Sequence, residues 1–207
     1  MFTLADKQIR EALHRKKLCR HYYAPDTLVV DELGLMHGKY RADIAVINGH
    51  LIGYEIKSDE DTLYRLPEQV KAYCDVFDRV TVVVGMKHAD VVSNIVPDWW
   101  GIVVVRRGNR GGILFESSRT GLINRDVNLF SIAQLLWKNE VSSILAEFGV
   151  PSKTLRQRRS ELYRMLVELL NPIDLRHYVR ECLRSRKTWR YHPQPSGCDG
   201  LCQPFAM

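Results

Sequence analysis

The chain has 207 residues, of which 45% are hydrophobic and 26% charged, a composition typical of a globular protein and not of a disordered or fibrous one. No apolar run approaches the ~20 residues that cross a bilayer, so we expect no membrane segment. The charged N-terminus lacks the apolar core and cleavage site of a signal peptide, which predicts a cytoplasmic protein.

The net charge of +6 is unevenly distributed along the chain. Residues 1–150 hold 19 Lys/Arg and 19 Asp/Glu, whereas residues 151–190 hold 11 Lys/Arg and only four acids. Such a concentration of positive charge favours a surface for the phosphate backbone of a nucleic acid. A solvated helix face rich in arginine is the alternative.

The spacing of apolar residues predicts alternating helices and strands. In chain order we expect a helix over 4–20, strands over 27–35, 40–47 and 51–56, a helix over 63–77, a strand over 80–84, a helix over 88–95, and strands over 101–105 and 112–116. From residue 129 the pattern is helical to about 186. We therefore predict an α/β domain over 1–128, a basic helical C-terminal region over 129–190 and a disordered tail over 191–207.

Charged residues in two apolar strands are the first candidates for chemistry. Asp43 interrupts one strand, and Glu55 and Lys57 end the next. Residues i and i+2 of a strand share a face, so Glu55 and Lys57 point the same way. Two carboxylates and the Ile56 carbonyl would suit a hard cation such as Mg²⁺, and a lysine beside it would assist phosphodiester hydrolysis. The alternative is a strand-end ion pair of Asp43 with Lys57 and no chemistry.

The register of the hairpin decides whether Asp43 joins this group. A two-residue turn would leave Asp43 on the face opposite Glu55. A three-residue loop over 47–49, with Gly49 left-handed as a bulge, would bring both acids to one face and pair Asp43 with Gly53. That glycine would also leave open space for a metal and a phosphate. We predict the three-residue loop.

These motifs resemble those of the PD-(D/E)XK (restriction-endonuclease-like) nuclease superfamily. The likeness covers residues 4–85 and rests on Arg41-Ala42-Asp43, on Glu55-Ile56-Lys57 and on a following helix with Gln69 and Tyr73, which resembles the QxxxY helix of RecB-like branches. Small bacterial and phage proteins of the superfamily are the most similar. Ala42 stands where the name-giving proline would be. The resemblance implies a restriction-endonuclease-like αβββαβ core, with a mixed central sheet flanked by helices.

The resemblance also implies roles for individual residues. Asp43 and Glu55, with Ile56 through its carbonyl, would bind Mg²⁺ or Mn²⁺, and Lys57 would be the catalytic lysine. Gln69 and Tyr73 would brace the site or contact the phosphate backbone, although Tyr73 also fits a core position. From its apolar setting, Glu32 is a further candidate metal ligand, with a solvent-facing strand end as the alternative.

The C-terminal region carries the candidate nucleic-acid contacts, namely Lys153, Arg156, Arg158 and Arg159. Residues 146–154 lie between two predicted helices and faintly resemble a helix-turn-helix, with these arginines on the second helix. A helical buttress with a basic face is the alternative.

Together these patterns predict a Mg²⁺-dependent nuclease acting on DNA, in repair, recombination, or phage or mobile-element biology. Two alternatives remain open. One is a non-catalytic DNA-binding module, either a degenerate nuclease fold or a helix-turn-helix regulator. The other is a structural or interaction protein on the same scaffold.

Overall fold

The computed structural model describes residues 4–187 and residue 189. The described strands are β1 Leu28–Leu35, β2 Tyr40–Ile47, β3 Leu51–Lys57, β4 Arg79–Gly85, β5 Gly101–Arg107 and β6 Ile113–Arg119. The described α-helices are α1 Asp6–Leu13, α2 Leu66–Val76, α3 Leu129–Ala133, α4 Lys138–Glu147, α5 Arg159–Leu169 and α6 Pro172–Ser185. The predicted tail over 191–207 lies outside the described residues.

The strands form one mixed sheet whose spatial order follows the chain from β1 to β6. Strands β1, β2 and β3 are antiparallel neighbours, β3, β4 and β5 run parallel, and β6 returns antiparallel to β5. The parallel step from β3 to β4 is made through α2, as a parallel connection requires a crossover. The predicted α/β class and mixed sheet are confirmed.

Helices cover both faces of the sheet because successive strand residues point to opposite sides. On one face, Ile9 and Leu13 of α1 pack with Ile44 and Ile56. On the other face, residues of α2 share a single hydrophobic cluster with residues from α3 to α6. The C-terminal helices therefore pack onto the core of the sheet, and the proposed boundary at 128 stays a prediction. No helix among the described residues is long and apolar enough to span a membrane.

The helix predicted over 88–95 is wrong. The segment forms two short 3-10 turns instead, Met86–His88 and Val92–Asn94. Its valines and isoleucine are β-branched and lose side-chain freedom in a helix. Pro97 also disfavours helical geometry in the residue before it, so the turns do not extend into a helix.

The hairpin between β2 and β3 has an odd-length loop, as predicted, but the loop lies one residue later in the chain, so each β2 residue pairs two positions further along β3 than predicted. Ile47 pairs with Leu51, which leaves residues 48–50 as the loop. The amide of His50 donates to Asn48 Oδ1 at 2.9 Å, a local bond that closes the turn without a left-handed glycine. The predicted left-handed Gly49 is therefore wrong.

This register also changes the partner of Gly53. Gly53 pairs with Ala45 and not with Asp43. A Cβ at Gly53 would lie 2.8 Å from the Phe77 ring, so the glycine makes room for core packing and not for a ligand. Because Ile44 pairs with Tyr54, the next positions along the two strands are Asp43 and Glu55.

Candidate active site

A buried carboxylate lies at the centre of the candidate site. Glu55 is 1% exposed, near the end of β3. Its Oε1 accepts a hydrogen bond from Lys57 Nζ at 2.6 Å, and its Oε2 accepts one from the Tyr73 hydroxyl of α2. A buried charge is costly unless it is paired and hydrogen-bonded, and here one cation and one hydroxyl meet that need.

Asp43 lies one residue beyond Ile44, which pairs with Tyr54 at the end of the β2–β3 ladder. Its Oδ2 accepts from the backbone amide of Ile56 at 2.7 Å, and its Oδ1 accepts from Arg10 Nη2 at 3.0 Å. Arg10 also donates to the Asp43 carbonyl at 2.6 Å. Asp43 thus pairs with Arg10, and Lys57 pairs with Glu55, so the alternative of an Asp43–Lys57 ion pair is wrong for the described contacts.

Tyr73 connects the two acids. Its hydroxyl donates to Glu55 and accepts from the Asp43 backbone amide at 3.3 Å. Burial, followed by the charges of Glu55 and Asp43, raises the pKa of Tyr73 well above its usual value, so the hydroxyl stays a proton donor. The side chain is fully buried, which leaves no surface for a phosphate. Of its two predicted roles, the structure shows the bracing contact.

The electrostatics of the site disfavour two ionised acids in the absence of added positive charge. Burial, followed by the nearby charge of Glu55, raises the pKa of Asp43 to about 7. The Ile56 amide and the Arg10 guanidinium act in the opposite direction but do not offset the increase. A group of carboxylates that resists full ionisation is an arrangement that a bound cation would relieve.

Gln69 adds an acceptor that no described residue uses. Its Oε1 is buried and has no hydrogen-bond partner among the described residues. Gln69 precedes Tyr73 by one helical turn, so both side chains lie on one side of α2. A buried acceptor left unsatisfied costs about 1–3 kcal/mol, which is tolerated at functional positions more readily than in a core.

The candidate metal ligands beside Asp43 and Glu55 are oxygen atoms, which suit Mg²⁺ or Mn²⁺ better than softer metals. The described residues contain no group of three or more His, Cys, Asp or Glu side chains that would hold an ion. An ion bound by Asp43 and Glu55 would need the Ile56 carbonyl and water as further ligands. Mg²⁺ characteristically keeps several waters and uses one or two carboxylates.

Glu32 forms its described ion pair with Arg41, outside this network of hydrogen bonds. It lies in β1 between Asp31 and Leu33, which pair with residues on either side of Asp43. Its backbone is left-handed, with φ of 58°, and its half-exposed carboxylate accepts from Arg41 at 3.1 Å. The structure thus shows an exposed ion pair, and the role of Glu32 as a metal ligand stays a prediction.

The basic residues named for nucleic-acid binding are exposed and close together in the chain. Arg156 lies in the 3-10 turn Thr154–Arg156, and α5 begins at Arg159. The connection from α4 to α5 runs over 148–158, much longer than the 3–4 residues of a helix-turn-helix. The predicted helix-turn-helix geometry is therefore wrong, because the proline and the 3-10 turn separate the two helices.

The start of α5 lies beside the turn that joins β1 to β2. His37 in that turn stacks on Tyr163 of α5, with 5.6 Å between ring centroids. Burial and the nearby charge of Arg159 lower the pKa of His37. Since β2 begins directly after this turn, the cluster of Lys153, Arg156, Arg158 and Arg159, here called the α5 cluster, lies at the end of the sheet that carries Asp43.

Arg10 is the contact that the sequence pattern missed. It is one of several charges on an amphipathic helix, and such charges usually face solvent. Only the packing of α1 across the sheet brings it to Asp43, 33 residues away. The one available signal was the position of Arg10 beside Ile9, at the edge of the apolar stripe.

Comparisons with known proteins give one family. A family model described as "Bacteriophage P4 protein cII" matches residues 3–194. Protein cII of Enterobacteria phage P4 is 30% identical over 167 residues, which cover 81% of this chain and 61% of that protein. The chain thus spans less than two thirds of the length of this relative. No solved structure matches the chain.

Proposed function

The chain belongs to the family of bacteriophage P4 protein cII, and we propose that it is a metal-dependent nuclease that hydrolyses phosphodiester bonds in DNA. The observation that carries the proposal is the joint placement of Asp43 within β2 and of Glu55 and Lys57 near the end of the neighbouring strand β3. Glu55 is bonded to Lys57 at 2.6 Å and linked through Tyr73 to the backbone of Asp43.

The fold supports the same proposal. The order α1, β1, β2, β3, α2, β4 is the αβββαβ order of a restriction-endonuclease-like core. We infer that this core is of the PD-(D/E)XK type, with the pattern carried by Asp43 and Glu55-Ile56-Lys57. The enzyme would act in the cytoplasm, in DNA repair, recombination, or phage or mobile-element biology.

In the proposed mechanism, Asp43, Glu55 and the Ile56 carbonyl would hold Mg²⁺ or Mn²⁺. When bound, the ion supplies Lewis acidity that activates water and offsets charge on the phosphoryl oxygens. Lys57 orients the attacking water or stabilises the developing negative charge. Gln69 Oε1 would accept a hydrogen bond from a water at the site, and Tyr73 would keep the Glu55 carboxylate oriented.

A second function is favoured by a specific observation. Both carboxylates already have protein partners, since Arg10 and the Ile56 amide bind Asp43 while Lys57 and Tyr73 bind Glu55. In a degenerate nuclease fold that only binds DNA, these hydrogen-bonded carboxylates would serve to stabilise the fold. The alternative proposal is therefore a non-catalytic DNA-binding module.

Incubation of the purified chain with single-stranded, duplex and branched DNA, and with RNA, separates the two functions. We expect cleavage that requires Mg²⁺ or Mn²⁺ and stops on addition of a chelator. Binding without cleavage of any of these substrates would instead support the DNA-binding module.

Replacing Arg156, Arg158 and Arg159 with alanine tests the α5 cluster. We expect weaker DNA binding and a slope of log K against log salt that is flatter by about 2–3, because each lost phosphate contact removes about 0.9 from the slope for duplex DNA. The control replaces three exposed basic residues elsewhere, Arg125, Lys138 and Lys187. If the α5-cluster variant matches this control in affinity and slope, the arginines are only a solvated face.

A further inference from the structure

Two basic segments that are far apart in the chain meet beside the first helix. Residues 15–20 hold Arg15, Lys16, Lys17 and Arg20, and residues 106–110 hold Arg106, Arg107 and Arg110. Lys16 Nζ donates to the Ile113 carbonyl at 2.7 Å, across 97 positions of sequence. Ile113 pairs with Arg107 across the β5–β6 hairpin, so the two segments are neighbours.

Further contacts hold this arrangement in place. Lys17 Nζ lies 5.9 Å from the centroid of the Phe115 ring of β6. At the start of the first segment, His14 Nε2 lies 2.9 Å from Asp31 Oδ1 in β1. The turns after α1 are thus anchored to both edge strands of the sheet, and their basic side chains project from a fixed backbone.

The combined surface, here called the hairpin surface, is strongly positive. The two segments contain seven basic residues and no acid. Among the described ion pairs, Arg106 of this surface lies 3.4 Å from Glu116 of β6. Burial and the charge of Lys16 lower the pKa of Lys17, as expected where like charges are crowded. Crowded cations on an anchored backbone are complementary to a polyanion.

The hairpin surface lies at the same end of the sheet as the proposed active site. Arg107 ends β5 and Lys57 ends β3. Both strands run parallel to β4, so their C-terminal ends lie at the same end of the sheet. The hairpin surface is attached to the α1 face of the sheet. The α5 cluster is attached to the opposite face through Tyr163. Asp43 and Lys57 are therefore flanked by positive charge on both sides.

We propose that the hairpin surface binds the phosphate backbone of duplex DNA and, with the α5 cluster, holds the duplex across the end of the sheet. Its role in presenting a substrate rests on the proposed nuclease function. A surface on one side only would hold the backbone at one point, whereas two surfaces fix the position of the duplex over Asp43 and Lys57. The net charge of residues 1–150 did not indicate this surface, because that part of the chain has equal numbers of basic and acidic residues.

The test uses the full chain, a short labelled duplex and metal-free buffer, in which binding is measured without cleavage. The variant replaces Arg15, Arg20 and Arg110 with alanine, since all three are exposed and Lys16, which anchors the hairpin, stays intact. We expect binding at low salt to weaken on the order of 10-fold or more, and the salt slope to flatten by about 2–3. The Arg125→Ala, Lys138→Ala, Lys187→Ala control should keep wild-type affinity and slope.

A conservative variant with lysine at positions 15, 20 and 110 keeps the charges and should keep most of the slope. An alanine variant that has the wild-type melting temperature and binds like the control overturns the hairpin surface, whether or not the wild type cleaves DNA. A flattened salt slope in the alanine variant supports the hairpin surface even if the wild type cleaves no DNA. Absence of cleavage by the wild type would overturn only the nuclease function.

Discussion

Replacing Asp43 or Lys57 with alanine should lower metal-dependent DNA cleavage by at least ~10²-fold, while DNA binding largely survives. Asp43→Ala removes a proposed metal ligand, and Lys57→Ala removes the cation proposed to orient water or stabilise the transition state. Loss of the acid should tighten binding in metal-free buffer, because a carboxylate facing phosphate is repulsive until a cation offsets it.

The stability of each variant must be measured beside its rate. Lys57 bonds the buried Glu55 at 2.6 Å, and breaking a buried ion pair costs about 3–5 kcal/mol. Rates are therefore compared well below the melting temperature of every variant, with the double variant included. Lys71→Ala, an exposed lysine on α2, is the matched control and should keep full activity. Folded Asp43→Ala and Lys57→Ala proteins with full cleavage would remove both residues from the mechanism.

Asp43→Asn should stabilise the metal-free protein at pH 8, by about 1–3 kcal/mol. The folded pKa of Asp43 is raised from 3.8 to about 7, so the ionised carboxyl destabilises the fold. The full penalty applies above the folded pKa and disappears as the pH falls below the unfolded pKa. As the pH rises from about 4 to about 7, the unfolding free energy of the wild type should therefore decrease. The asparagine variant should not show this decrease.

The measurement is the unfolding free energy of both proteins from pH 4 to pH 8, with and without Mg²⁺. Added Mg²⁺ should stabilise the wild type most at high pH, where Asp43 is ionised, and should stabilise the variant much less. Asp90→Asn, at an exposed carboxyl, is the control and should change stability by less than about 0.5 kcal/mol. An Asp43→Asn protein that is less stable than the wild type at every pH would show that Asp43 only forms a structural ion pair with Arg10.

Local sequence rules predicted the elements that build the site. Strand β2 has the predicted bounds, and β1 and β3 differ from prediction by one residue at one end. Pro67 falls in the first turn of α2, where its missing amide proton is not needed. The period of two along a strand was enough to place Glu55 beside Lys57. These predictions succeeded because they depend on neighbours within a few residues.

The hairpin shows where local rules reach their limit. The odd length of its loop was predicted, because only an odd loop places Asp43 on the same face of the sheet as Glu55. The exact register was not, because the Asn48 side chain closes the turn and Phe77, from the end of α2, packs against Gly53. The Phe77 contact is made only when α2 is in place, so the register depends on tertiary packing as well as on the local turn.

Tertiary packing alone decided which charges meet. Arg10 reaches Asp43, and Lys16 reaches the β5–β6 hairpin, because α1 packs across a sheet whose strands come from distant parts of the chain. Glu32 was predicted as a metal ligand; the structure shows its carboxylate paired with Arg41 and its own backbone left-handed, and the predicted role stays a prediction. Electrostatic interactions depend on distance in space, so a sequence shows which residues carry charge and only the fold determines which of them interact.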